Sequence, residues 1–171
     1  MLEFLFAHFI YASSLIMLMV NVVSNISKFE VLRNKPGYVV LSDKCELTVR
    51  VTITKIDELE KSPTGLSLGV GFNVVIAASA PSELRAIVSD KPVPKDGEHL
   101  KNLKIWEFVD IVEVERAVEE VLYYGSDGLK YKVIVEVEPT IVSRTLEFRD
   151  NDGNPVYNVR WSPLVLVKIA K

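Results

Sequence analysis

The stretch Cys45–Ile56, which reads CELTVRVTITKI, decides the fold of this chain. Apolar and polar side chains alternate along it as far as Thr54. The apolar positions are Cys45, Leu47, Val49, Val51 and Ile53, and the polar positions between them are Glu46, Thr48, Arg50, Thr52 and Thr54. Because successive side chains of a strand point to opposite faces, this pattern predicts a strand with one core face and one wet face. The chain's single cysteine falls on the core face, so we expect a buried thiol and not a nucleophile.

Strand patterns continue on both sides of this stretch. They lie at Tyr38–Leu41, Leu66–Ile76, Leu84–Val88, Ile105–Val109, Tyr131–Val137, Ile141–Arg149, Val156–Trp161 and Leu164–Ile169. Turn-forming residues separate them, most clearly at Lys61–Gly65 and at Asp150–Pro155, and the second of these predicts a hairpin. Leu164–Ile169 is almost wholly apolar, so we expect it to be a central strand or one covered on both faces.

One segment changes to a helical period. Its apolar residues at that spacing are Val114, Val118, Val121 and Leu122. Asp110 and Glu113 resemble a capping box, and Gly125 suits the position just after a helix end. The pattern predicts a helix at 111–124, although the alternation at 112–115 would also suit a strand. The whole chain is therefore expected to be mainly β, an antiparallel, immunoglobulin-like β-sandwich with one inserted helix.

The N-terminus has a different character. Phe4–Val23 reads FLFAHFIYASSLIMLMVNVV and contains no Asp, Glu, Lys or Arg. A helix of this length matches a hydrocarbon core of roughly 30 Å, so we expect one transmembrane or filament-core helix. Asn25–Pro36 would continue it, which divides the chain into an apolar helix with its extension at 1–35 and a β-domain at 36–171. No basic residue precedes the run, so an uncleaved anchor is expected and not a cleaved signal.

Two arguments about the side of the membrane conflict. Lys28, Arg33 and Lys35 follow the apolar run, and by the positive-inside rule they place the β-domain in the cytoplasm. An N-terminal anchor in front of a strand-rich domain more often displays that domain outside. We expect a single-pass membrane protein whose β-domain is extracytoplasmic.

Composition excludes several classes of function. The chain has 20 Lys and Arg residues against 23 Asp and Glu residues, a net charge of −3, so no basic surface for nucleic acid is expected. One cysteine permits neither an internal disulfide nor a multi-cysteine metal cluster. Glutamine is absent, and this depletion of thermolabile side chains is typical of thermophiles, which indicates a heat-loving, archaeal source.

The polar residues of the apolar run are the candidate assembly residues. Ser13, Ser14 and Asn21 can join helices to one another, whereas hydroxyls can also bond back to their own helix. His8 lies near the end of the run, where it can reach the interface. Asn25 begins an Asn-Ile-Ser glycosylation acceptor pattern close to the membrane.

No catalytic, cofactor or metal site is expected elsewhere. His99 lies in the polar loop Asp90–Lys104 and is most simply a surface residue. Asp150–Asn154 superficially resembles a calcium loop but lacks the ligand register, and Asp, Asn and Gly also suit a plain turn. The carboxylates of the predicted helix are expected to form its solvated face. No small-molecule substrate is indicated.

An apolar N-terminal helix leading into a compact β-domain resembles archaeal type IV pilin-like proteins, including archaellins and accessory proteins of the archaellum. The resemblance rests on Phe4–Val23 and the strand-rich remainder. It implies N-terminal helices that bundle and β-sandwich heads that face outward. The first hypothesis is therefore a non-enzymatic structural or adhesive surface protein, anchored in the membrane or polymerised into a filament.

Two other functions stay open. The chain could be a single-span accessory subunit of a transport, secretion or respiratory membrane complex, whose helix packs on partner helices. An enzyme using carboxylates around Glu107–Glu120 is the third hypothesis, and it has no recognisable signature to support it.

Overall fold

A computed structural model of the protein describes residues 29–95 and 97–170. Within these residues no helix is both long and apolar enough to cross a membrane. The predicted span Phe4–Val23 lies outside the described residues, as do Ser13, Ser14, Asn21 and Asn25.

The described part of the chain is mainly β and contains one short α-helix. Its strands are β1 (Phe29–Lys35), β2 (Gly37–Leu41), β3 (Glu46–Ser62), β4 (Gly65–Ser79), β5 (Glu107–Val109), β6 (Ile111–Glu115), β7 (Ala117–Tyr124), β8 (Lys130–Arg149) and β9 (Pro155–Ile169). Helix α1 spans Ser82–Ile87, and two 3-10 turns lie at Glu98–Leu100 and Leu103–Ile105.

The strands form two antiparallel sheets. Sheet A has the order β1-β7-β8, with β5 and β9 both paired to β8, and sheet B has the order β4-β3-β2-β6. The core lies between them. Leu47, Val49 and Val51 from sheet B and Val121, Val133 and Val135 from sheet A are at most 1% exposed. The alternating residues of the opening stretch therefore form one wall of the core, and this prediction is confirmed.

The predicted helix at 111–124 is wrong, because this segment forms strands β6 and β7. In β7, Ala117, Glu119, Val121 and Tyr123 all face the core and are at most 3% exposed. A glutamate among the inward positions hides the period of two, so the remaining apolar residues imitate helical spacing. Backbone pairing with β1 on one side and with β8 on the other makes β7 a strand and not a helix.

Three local predictions are also corrected. Leu84–Val88 is not a strand, because Ser82–Ile87 forms α1 directly after Pro81. The expected helical extension is replaced by β1, which pairs with β7 from Phe29 onward. Tyr131–Val137 and Ile141–Arg149, predicted as two strands, belong to one, because β8 runs from Lys130 to Arg149 through an irregularity between Pro139 and Ile141.

In the described structure β9 is an edge strand, and no other element covers its apolar end at Leu164–Ile169. It pairs with β8 over its whole length, and among the described residues no strand pairs with its other edge. Tyr157 and Val159 pack against the core, whereas four apolar side chains from Leu164 onward are exposed, and they lie on both faces. Their exposed fractions are 45% for Leu164, 40% for Val165, 37% for Val167 and 48% for Ile169. An apolar sequence thus marks an open edge here and not a covered strand.

Candidate functional site

A groove lies on the outer face of sheet A, where β5, β8 and β9 run side by side. Strand pairing places Phe108 opposite Ser143 and Ser143 opposite Asn158, which forms one row across three strands. Ile141 and Arg160 form the adjacent row. The cavity above these rows has a volume of about 390 Å³.

The two 3-10 turns supply the wall of this groove. Leu100, Leu103 and Trp106 line it from the loop that precedes β5. The indole N–H of Trp106 donates to the backbone oxygen of His99 at 3.0 Å, and the His99 ring lies 6.0 Å from the ring of Trp106 and 6.3 Å from that of Phe148. His99, predicted to be a surface residue, is instead half-buried between two aromatic rings.

The groove combines a large apolar surface with a few polar side chains. Leu103 is 80% exposed and Phe108 is 84% exposed, values that mark side chains without a covering layer in the described structure. Arg160, Asn158 and Ser143 contribute the polar side chains, and the described lining of the cavity contains no acidic residue. Such an arrangement suits an amphipathic small molecule.

A second polar cluster is partly buried where the β2–β3 turn meets sheet A. Asp43, in the β2–β3 turn, accepts hydrogen bonds from Arg144 at 2.7 Å and from the Tyr157 hydroxyl at 2.8 Å. Its other oxygen accepts from the backbone N–H of Cys45 at 3.0 Å. Since Arg144 lies on β8 and Tyr157 on β9, the carboxylate ties the turn of sheet B to sheet A.

This cluster is structural and not nucleophilic. Cys45 is fully buried, and burial raises the pKa of its thiol. Burial also raises the pKa of Tyr157, so both groups remain protonated at neutral pH. A buried neutral thiol is a poor nucleophile, and the burial itself is what the alternating sequence predicts for Cys45.

The polar groups of the Asp150–Asn154 turn form hydrogen bonds to one another and to the neighbouring backbone. One oxygen of Asp150 accepts from the N–H groups of Asp152 and Asn154, at 2.9 and 2.7 Å, and the other accepts from the Asn154 side chain at 3.0 Å. Asn154 also donates to the oxygen of Ala78 and accepts from the N–H of Ala80. Across the described residues, no group of three or more His, Cys, Asp or Glu side chains is placed to hold a metal ion.

The carboxylates of 113–120 do not share one solvated helix face. Glu119 points into the core, where it accepts hydrogen bonds from the backbone N–H of Ile53 and from the Asn34 side chain. Glu115 pairs with Lys35, and Glu120 pairs with Lys132 at 2.7 Å. Glu115, Glu119 and Glu120 therefore make contacts between strands.

The groove escaped the sequence analysis because its residues come from three distant segments. Leu100 to Phe108, Ile141 to Ser143 and Asn158 to Arg160 meet only through the pairing of β5, β8 and β9. The sequence offered one signal for the groove, which was the presence of Leu100 and Leu103 in an otherwise polar loop. Comparison of the chain with protein-family models, with curated proteins and with solved structures found no match.

Proposed function

We propose that this chain is a non-enzymatic structural protein of the cell surface. Phe4–Val23 anchors it in the membrane or joins it to other copies in a filament, with Ser13, Ser14 and Asn21 as contacts between helices. The β-domain is displayed outside the cell for exposure or adhesion. Its fold is proposed to be an immunoglobulin-like sandwich, and two antiparallel sheets around one core support that assignment.

The observation that carries this proposal is the direct junction between the two parts. The charge-free run ends at Val23, and β1 begins at Phe29. Since β1 is a paired strand of sheet A, the anchor leads into a folded domain through only a few residues. A domain tied so closely to an apolar segment is held near the membrane or filament surface.

One edge of β9 pairs with no strand among the described residues, and this edge supports contact between copies of the chain. An edge strand of this length offers unpaired backbone groups to another strand. In an antiparallel pairing of two β9 strands centred near Ser162, Arg160 lies opposite Leu164 and Lys168 lies opposite Val156. The cations therefore face apolar residues and do not oppose each other.

Protease treatment of sealed, right-side-out cells carrying the full chain tests this proposal. If the β-domain is clipped or shed while the cells stay intact, it is external as proposed. Protection until the membrane is broken would overturn the surface assignment. A control protease digestion of opened cells shows that the domain can be cleaved when it is reached.

Extraction in mild detergent separates the accessory-subunit alternative from the proposal. A single or self-associated chain agrees with a structural protein. A constant set of unrelated chains that co-purifies would favour a subunit of a membrane complex.

A further inference from the structure

We propose that the groove of sheet A binds a small hydrophobic monocarboxylate. Its carboxylate lies on Arg160, and its apolar part lies against the wall that contains Leu103 and Trp106. This ligand site is independent of how the chain is anchored, so the proposal goes beyond the proposed function.

The positive charge of Arg160 favours a ligand with an acid group. Arg160 is exposed at the groove, and among the residues whose side chains the structure describes no carboxylate lines the cavity beside it. Within the described part of the chain, its guanidinium takes part in none of the observed ion pairs. A guanidinium matches a carboxylate with two parallel hydrogen bonds, which is the strongest form of this contact.

Neighbouring polar groups can complete the site. Ser143 and Asn158 lie side by side in the row next to Arg160. Their hydroxyl and amide groups can donate to the second carboxylate oxygen or to a polar substituent of the ligand. Because these side chains project from adjacent paired strands, the floor is held rigidly in place, which lowers the ordering cost of binding.

The apolar wall of the groove favours a ligand with a hydrophobic part. Leu100, Leu103, Phe108 and Ile141 are between 43% and 84% exposed, although they converge on one concavity. A ligand that covers them removes apolar surface from water, which favours binding. A volume of about 390 Å³ accommodates one small molecule of this kind, since such sites span roughly 300–1,000 Å³.

The full chain in non-ionic detergent provides the test, with Trp106 as the reporter. Trp161→Phe removes the other tryptophan, so the fluorescence change belongs to the groove. The probe is 3-phenylpropionate, and 3-phenylpropanamide is the matched neutral compound with the same apolar part. Acetate controls for the charge alone.

We expect saturable binding of 3-phenylpropionate that is at least about tenfold tighter than binding of the amide, because one charge-assisted contact is lost. Acetate should not saturate the signal. Arg160→Gln should weaken the acid by at least about tenfold and leave the amide unchanged. Arg50→Gln, on the exposed face of β3, is the matched control and should bind as the parent does.

Three results would overturn the proposal. The acid and the amide could bind equally, Arg160→Gln could bind the acid as well as Arg50→Gln does, or no saturable signal could appear. An unchanged urea unfolding midpoint for each variant establishes that it is folded. These outcomes do not depend on the side of the membrane, so failure here and failure of the proposed function are distinguishable.

Discussion

At the scale of single residues, buried polar side chains hold the two sheets in register. Asp43 joins the β2–β3 turn to Arg144 and Tyr157 in sheet A. Glu119 joins β7 to the backbone of β3 at Ile53, where the pairing of β3 with β4 is irregular. Each carboxylate therefore satisfies donors that would otherwise be buried without partners.

Asp43→Ala tests the first of these links. The substitution leaves Arg144, whose side chain is only 17% exposed, without its buried partner, so the free energy of unfolding should fall by about 2–4 kcal/mol. Asp57→Ala removes the same group from the exposed pair with Lys55 and should cost less than about 1 kcal/mol. Urea unfolding measures both. Equal losses in the two variants would show that the Asp43 cluster does not stabilise the fold.

Tyr123 should make the stability depend on alkaline pH. Burial and its hydrogen bond to Glu58 at 2.8 Å raise the pKa of Tyr123 to about 12, from the ordinary tyrosine value of 10.0. Between these values the unfolded chain loses the phenolic proton while the folded chain keeps it. The contribution is therefore complete below pH 10 and is lost as pH rises towards 12, by roughly 2 kcal/mol in all.

Urea midpoints between pH 8 and pH 11.5 measure this effect in the parent and in Tyr123→Phe. The variant has no proton to lose at this position, so its stability should decline less steeply above pH 10. Parallel curves for the two proteins would show that Tyr123 is not responsible for the decline.

At the scale of elements, close approach of backbones places β2 against the junction of β6 and β7. A Cβ atom on Gly37 would lie 2.5 Å from the backbone nitrogen of Ala117 and 2.5 Å from the backbone oxygen of Glu115. Only glycine permits this approach, which brings the end of β6 in sheet B beside the start of β7 in sheet A.

Gly37→Ala should accordingly destabilise the protein by about 2–4 kcal/mol, because backbone atoms cannot move aside as a flexible side chain can. Gly71→Ala is the matched control. Its new methyl group would come no closer than 3.4 Å to Lys55, so its effect should stay within about 1 kcal/mol. Thermal unfolding of both variants checks the difference, and similar losses would contradict the steric explanation.

At the scale of the whole molecule, β1 decides where the folded domain begins. The sequence pattern places the start of the β-domain after residue 35. The structure instead shows β1 paired with an edge of β7, and Asn34 of β1 donates a hydrogen bond to Glu119. We expect the fragment 29–171 to unfold cooperatively. The fragment 36–171 should melt at least about 10 °C lower or fail to fold, because it exposes β7 and leaves Glu119 with one donor fewer.

Circular dichroism melts of the two fragments make this comparison. Equal melting temperatures would show that β1 is a dispensable addition to a domain that begins at Gly37. A large difference would make β1 part of the domain, and the connection to the apolar run would then begin before Phe29.

The sequence by itself determined the strands that have one buried face and one exposed face. The alternation around Val49 and Val51 states locally which side is buried, because side-chain direction in a strand depends only on position along it. The same reasoning failed at β7, where Glu119 occupies an inward position that only a partner across the core can satisfy. It failed again at β9, where an apolar strand was expected to be covered.

Only the tertiary structure decided which edges stay open and which distant residues meet. The edge of β9 that pairs with no described strand follows from the sheet order, and the groove with Trp106 and Arg160 follows from the pairing of β5, β8 and β9. Such placements depend on contacts between residues far apart in the chain, and the local period of side chains carries no information about them. Strand faces are therefore readable from this sequence, whereas its candidate site had to be found in three dimensions.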